Sequence, residues 1–129
     1  MKVLLDTQVF LWMMQQPDRL AAPSRALLEG GATELYFSSA SAWEIAIKHS
    51  AGKLRLPGAP EVVVLALMHE KRISPLPVSH GHALRVAHLP RHHRDPFDRL
   101  LVAQAQVEGL PILTADAHFA AYDVEVIAA

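Results

Sequence analysis

The chain has 129 residues, 51% of them hydrophobic, with six glycines, nine prolines and no cysteine. That makes a single domain, 1–129, able to bury a sizeable core, and it excludes a disordered chain, a disulfide framework and a thiolate metal site. A formal net charge of −1 gives no global attraction to nucleic acid, so any such contact must come from a local patch. Short apolar runs alternate with longer segments of helical periodicity. In chain order the pattern predicts a strand over 2–5 (KVLL), helices over about 8–15 and 19–29, and a strand over 34–38 (ELYFS). Helices over 40–51 and 60–72 follow, then a strand over 73–76 (ISPL) and helices over 79–87 and 96–108. The chain closes with a strand over 110–113 (LPIL, extending toward Thr114), a helix over 117–121 and a strand over 124–127 (VEVI).

Boundary residues support these elements. Pro17-Asp18 precedes the second helix and Gly30-Gly31 closes it. Pro60 suits a first helical turn, and Ser79 is a natural cap. Asp95-Pro96 starts a helix that Gly109 and Pro111 end. Strands alternating with helices imply an α/β fold with a mostly parallel sheet covered on both faces. Ligands in such sheets bind beyond the carboxyl ends of the strands, where Asp6 and Asp116 fall. No apolar run reaches membrane length and no repeat or linker divides the chain, so a soluble, cytoplasmic protein is expected.

Five carboxylates lie at element boundaries, and each also has a purely structural reading. Asp6 follows the first strand and would serve either as a helix cap or as a rigidly held metal ligand. Ser41-Ala-Trp-Glu44 matches a capping box. A helix starting at Ser38 or Ser39 would instead carry Glu44 inside, among apolar neighbours, with Lys48 as its i,i+4 partner. Asp95 and Asp98 share a helix face, Asp95 as N-cap and Asp98 in the first turn, where an acid is favoured by the helix dipole. Asp116 follows the fourth strand, where capping of 117–121 competes with metal binding. Thr114 is placed to bond a neighbouring carboxylate, a metal-bound water or only its own turn. Taken together, acids from distant segments imply one converging site, because clustered carboxylates repel unless a cation neutralises them. Oxygen-only ligands point to Mg²⁺ or Mn²⁺, and such a metal suits phosphodiester hydrolysis.

The stretches VLLDTQVFLW at 3–12, SSASAWEIAIK at 38–48, GKLRLP at 52–57, HHRDPFDRLLVAQA at 92–105 and LPILTADAHFAAYDVEVI at 110–127 resemble the PIN-domain ribonucleases. The resemblance covers nearly the whole chain, and within the family it points to the VapC-type toxins of toxin–antitoxin pairs. It implies a three-layer α/β/α sandwich and Mg²⁺- or Mn²⁺-dependent endonucleolytic cleavage of RNA. It also implies inhibition by a cognate antitoxin and a homodimer. The family's metal-binding acids carry over to Asp6, Glu44, Asp98 and Asp116, with Asp95 matching a further acid of the DPFDR subgroup. Thr7 and Thr114 match the small polar positions beside them. In the expected mechanism water attacks the scissile phosphate. Asp6, Asp98 and Asp116 hold the metal, Glu44 ligates it or orients the water, and Lys48, Arg94 and Arg99 contact phosphate.

Six basic or potentially basic side chains, Arg85, Arg91, His92, His93, Arg94 and Arg99, fall within 15 residues and form the candidate nucleic-acid patch. A dimer joining two such patches would offset the near-neutral charge. The pairs His80/His82 and His92/His93 lack the spaced partners of a zinc site, and the second pair is expected at the RNA-facing edge or in solvent. Trp12 and Trp43 are expected in core or interface packing, and two thirds of Val62–Met68 in the core. Three rivals share parts of the pattern. An inactive RNA- or antitoxin-binding module would not need the full set of acids. A response-regulator receiver would pair two acids after the first strand and carry a lysine after the last, and no lysine follows residue 71. An aspartyl phosphatase would need a second acid where Gln8 stands.

Overall fold

In the computed structural model, which describes residues 1–129, five strands and six α-helices form an α/β/α sandwich. The strands β1 (Lys2–Leu5), β2 (Glu34–Ser38), β3 (Ser74–Leu76), β4 (Ile112–Thr114) and β5 (Val126–Ala128) pair in the order β3-β2-β1-β4-β5, every pair parallel. The expected mostly parallel sheet is present and is parallel throughout. The helices are α1 (Thr7–Gln15), α2 (Ala22–Glu29), α3 (Ser39–Ser50), α4 (Pro60–Glu70), α5 (His80–Arg85) and α6 (Pro96–Glu108).

The two-residue alternation of a strand distributes β1 between two cores. Val3 and Leu5 join Val9, Phe10, Leu28, Leu35, Phe37, Ile45, Val64 and Leu67 under α1–α4. Leu4 joins Leu101, Val102, Ala105, Ile112 and Phe119 on the opposite face, under α6. Phe10 and Phe37 stack with ring centroids 3.9 Å apart, which fixes α1 against β2. Most of these side chains are fully buried, each contributing about 1.5–3 kcal/mol relative to exposure.

α6 spans the predicted 96–108. The Asp95 side chain accepts from the N–H groups of Phe97 and Asp98, Pro96 occupies the first turn, and Gly109 closes the helix at φ 67°. Ser79 caps α5 as expected, reciprocated by the His82 ring. Other boundaries move. The segment expected as one helix over 19–29 is a 3₁₀ turn at Pro17–Arg19 followed by α2, whose first turn contains Pro23. Residues 79–87 likewise split into α5 and a 3₁₀ turn at Val86–His88, and 117–121 is 3₁₀ rather than α-helical. β4 and β5 each sit one or two residues later than predicted.

One packing expectation is corrected: of Val62–Met68 only Val64 and Leu67 are buried, Val63 and Met68 pack partly against the core, and Val62 and Leu65 are exposed. Of the core or interface roles expected for Trp43, the core is excluded: it is 62% exposed and rests edge-on against Phe97.

From β1 the chain moves outward to β2 and β3, then returns to lay β4 on the other side of β1 and proceeds to β5. Connections therefore diverge between β1 and β4. That switch point opens a crevice at the carboxyl ends of the two strands.

Candidate active site

A cleft of about 360 Å³ occupies this crevice. Asp6, Glu44, Asp95, Asp98 and Asp116 all line it, together with Thr7, Gln8 and Lys48, while Leu11, Trp12, Ile45 and Leu54 form an apolar wall. Residues separated by more than a hundred positions in sequence thus face one space.

Asp6 stands at the N-cap position of α1 but makes no capping bond. Instead its Oδ2 accepts from the Thr114 hydroxyl at 2.7 Å, across the β1–β4 seam. Thr114 Oγ1 in turn accepts from the Asp116 N–H at 2.9 Å, so one hydroxyl ties together two of the acids. Thr7, at the start of α1, donates to Ser41 Oγ at 2.8 Å and pins α1 to α3. Burial raises the Asp6 pKa, opposed by the Thr114 hydrogen bond and reinforced by the charges of Glu44 and Asp116.

α3 begins at Ser39 with Ser38 as its cap, accepting from Ala40 N–H. The Ser41–Glu44 capping box is therefore absent and Glu44 lies inside the helix. It is buried, with Oε2 accepting from Lys48 Nζ at 2.6 Å and Oε1 buried without any hydrogen-bond partner. That hydrogen bond, the largest of several contributions, raises the Lys48 pKa.

At the start of α6, Asp95 is a genuine cap and also lines the cleft. Asp98 Oδ2 contacts His93 Nε2 at 2.9 Å. Its carboxyl is pushed up to about 7, first by burial and then by the negative charges of Asp95, Asp6 and Glu44, against the pull of His93. Asp116 is more open. Burial would raise its pKa, but the N–H and ring of His118 outweigh that and lower it. The His93 and His118 rings stack nearly parallel, 4.7 Å apart.

His118 is the residue at this site that sequence reasoning missed. His93, which the sequence places at an RNA-facing edge or in solvent, is partly buried and touches Asp98. The only signal for His118 is its spacing: an acid capping at position i brings the residue at i+2 beside it. Arg94 and Arg99 do not line the acidic cleft but an adjoining recess, and Thr114 lies behind Asp6. Arg99 has a structural task the sequence did not disclose, donating to the carbonyls of Pro90, Val86 and Leu89.

The donor set fits a hard divalent cation. It is rich in carboxylate oxygens, and Glu44 Oε1 is a buried acceptor left over by the protein's own hydrogen bonds. Two tighter groups, His93/Asp95/Asp98 and His93/Asp116/His118, have donor atoms within 4.8 Å of one another, but their imidazole nitrogens suit a transition ion better than a hard one.

The PIN domain family matches residues 3–125. The chain belongs to the PIN-domain family. PIN domains are generally nucleases that use divalent metals, which agrees with a cleft of this composition. No curated protein is significantly similar to the chain in sequence. Solved structures share the PIN fold. The VapBC2 complex of Rickettsia felis, bound to a fragment of its promoter DNA, contains a chain similar at TM-score 0.76 and 12% identity, covering 99% of this chain and 98% of that one. DNA-bound VapBC of Salmonella typhimurium gives 0.68 and 19%, and VapBC-5 of Mycobacterium tuberculosis 0.63 and 24%, both covering 99% of this chain and 98% of theirs. No helix of this PIN domain is long and apolar enough to cross a membrane.

Proposed function

We propose that the chain is a Mg²⁺- or Mn²⁺-dependent endoribonuclease, the VapC-type toxin of a toxin–antitoxin pair. The observation that carries this reading is the convergence of five carboxylates on one cleft at the sheet's switch point, one of them with a buried, unpartnered oxygen. Asp6, Asp98, Asp116 and Glu44 would hold the metal, with Asp95 serving chiefly as the cap of α6. When bound, the ion supplies the charge that lets these acids coexist ionised, activates water and offsets negative charge developing on the phosphate.

The chain's own residues do the rest. Thr114 holds the Asp6 carboxylate in orientation, and Thr7 with Ser41 locks α1 to α3 so that Asp6 and Glu44 keep their separation. Glu44, steadied by Lys48, presents its free Oε1 either to the ion or to the attacking water. His93 orients Asp98. In the hydrolysis a water oxygen bonds to phosphorus as the P–O bond to the leaving alcohol breaks, and that alcohol leaves with a proton. Arg94 and Arg99 supply positive charge toward the substrate, Arg99 through the segment it holds, while Lys48 stays paired with Glu44.

Partner binding has support of its own. Between α3 and α4 lies a largely apolar groove formed by Ala42, Ala46, Pro60, Val64 and Leu65 with one acid, Glu61, and flanked by exposed Trp43, Ile47 and Val62. A surface of this kind suits a protein partner, and we assign it to the cognate antitoxin. The structures similar in fold are VapBC toxin–antitoxin proteins, which supports an antitoxin partner for this chain, and a homodimer is proposed on the family resemblance.

The decisive assay is incubation of antitoxin-free protein with total cellular RNA and Mg²⁺ or Mn²⁺, beside EDTA and Asp6→Asn controls. Discrete fragments that vanish in both controls are expected. No cleavage by well-folded protein would favour an RNA- or antitoxin-binding module without activity.

A further inference from the structure

Beside the acidic cleft is a second recess, of about 510 Å³, lined by Arg91, His93, Arg94 and Arg99 and by no apolar residue. Its charge is not neutralised. None of the protein's ion pairs involves an arginine, so each guanidinium here lacks a carboxylate within 4.0 Å. This concentration of positive charge stands out on a chain of net charge −1.

Arg99 explains how the recess keeps its shape. Its guanidinium donates to the carbonyls of Pro90 at 2.8 Å, Val86 at 3.3 Å and Leu89 at 3.5 Å, and to the Tyr122 hydroxyl at 3.4 Å. All four acceptors are neutral, so the charge survives while the backbone leading into Arg91–Arg94 is fixed. A planar fork with several donors is suited to this, whereas a lysine is not. Arg91 and Arg94 are exposed and free to meet a ligand.

His93 joins the two spaces. It lines the recess, and its Nε2 contacts Asp98 Oδ2 in the cleft at 2.9 Å. A polyanionic strand with one phosphate at the acidic cleft must place the neighbouring phosphate on a nearby surface, and the five acids repel it. Lys48, within the cleft, is committed to Glu44. The adjoining guanidinium groups are not committed to any acid. Positively charged grooves of this kind track the backbone of single-stranded nucleic acid.

We infer that the recess of Arg91, His93, Arg94 and Arg99 is a backbone subsite that holds the phosphate of an RNA strand next to the one at the acidic cleft. Arg91 and Arg94 contact the phosphate directly, and Arg99 is a positioning residue. The assignment rests on the nuclease reading for its substrate, and the experiment separates the two.

Binding is read in the full-length Asp6→Asn variant by fluorescence anisotropy of a labelled single-stranded RNA oligonucleotide over a series of salt concentrations. Each phosphate contact on a single strand contributes about 0.7 to the slope of log affinity against log salt. Adding Arg91→Ala with Arg94→Ala is expected to flatten that slope by about 0.7, the share of one phosphate, and to weaken binding at low salt at least about tenfold. Arg25→Ala, remote from the recess, should change neither. Arg99→Lys keeps the charge but loses the fork, so affinity should fall while the melting temperature and slope show whether the segment has loosened. An unchanged slope in the folded Arg91/Arg94 double variant overturns the subsite. So does displacement of the RNA by inorganic phosphate beyond the effect of matched chloride, which would make it a free-anion site. Polyglutamate competing through the same arginines as strongly as RNA would also overturn it, in favour of an acidic protein partner. Wild-type protein that fails to cleave, with arginine-dependent RNA binding intact, would overturn the nuclease reading and still support the recess as a strand-binding surface.

Discussion

The two sides of the acidic cleft carry similar charge on very different supports. On one side Asp6 follows the fully buried Val3-Leu4-Leu5 of β1, is held by Thr114 from the neighbouring strand, and sits beside a Thr7–Ser41 bond that joins two helices. On the other, Asp98 sits in the first turn of α6, partly buried, and its side-chain partner is a histidine from the preceding loop. The first side is fixed by three elements at once. The second depends on one helix start and on the segment held by Arg99. Equal charges thus serve different ends: Asp6 is the rigid reference of the site, and Asp98, pushed up to about 7, is the acid that carries its proton toward neutral pH.

Neutralising the rigid side is the most severe test. Asp6→Asn is expected to reduce RNA cleavage by at least about 10³-fold, the scale of several kcal/mol supplied by a metal site. Its melting temperature should be unchanged or higher, since a buried carboxylate is removed and the amide still accepts from Thr114. Asp98→Asn should lose a comparable amount of cleavage while behaving differently in stability. With the Asp98 carboxyl pushed up to about 7 in the fold from a usual 3.8, the folded state retains a proton that the unfolded chain has lost. Its stabilising contribution is full below about pH 4 and disappears as pH rises through about 7. Metal-free wild type should therefore lose stability across that window, with raised Asp6 acting in the same direction, and Asp98→Asn should show a shallower decline in thermal melts. Thr114→Val comes next. Losing the group that orients a ligand carboxylate should cost about 10–100-fold in activity or metal affinity. The smallest effect is that of the cation on melting: added Mn²⁺ should raise the melting temperature more at about pH 8 than at about pH 6, because it replaces the proton on Asp98.

The acids Asp6, Glu44, Asp95, Asp98 and Asp116 are legible in the sequence as carboxylates at element boundaries of distant segments, and the fold brings them to one cleft. Helix α6 was legible to the residue, since Asp95, Pro96 and Gly109 each serve one boundary conformation. The start of α3 was not: Ser38, Ser39 and Ser41 can each cap a helix, and only the packing of Ala40, Ser41, Glu44 and Ile45 selects Ser38. The inward face of α4 was hidden for the opposite reason. VVVLALM is apolar on every side, so no periodicity marks Val64 and Leu67 as the buried pair. Arg99 and His118 act through groups brought close by the fold, the carbonyls of residues 86–90 and the Asp116 turn, and side-chain chemistry alone does not announce such partners.

The acids from β1, α3, α6 and the β4 turn are proposed to work as one cation-binding unit. The most direct test is titration of wild type, Asp6→Asn and Asp98→Asn with Mn²⁺, following the free-ion signal by electron paramagnetic resonance. Saturable binding by wild type that is lost in both folded variants is the predicted result. Binding that survives both substitutions unchanged would contradict the claim.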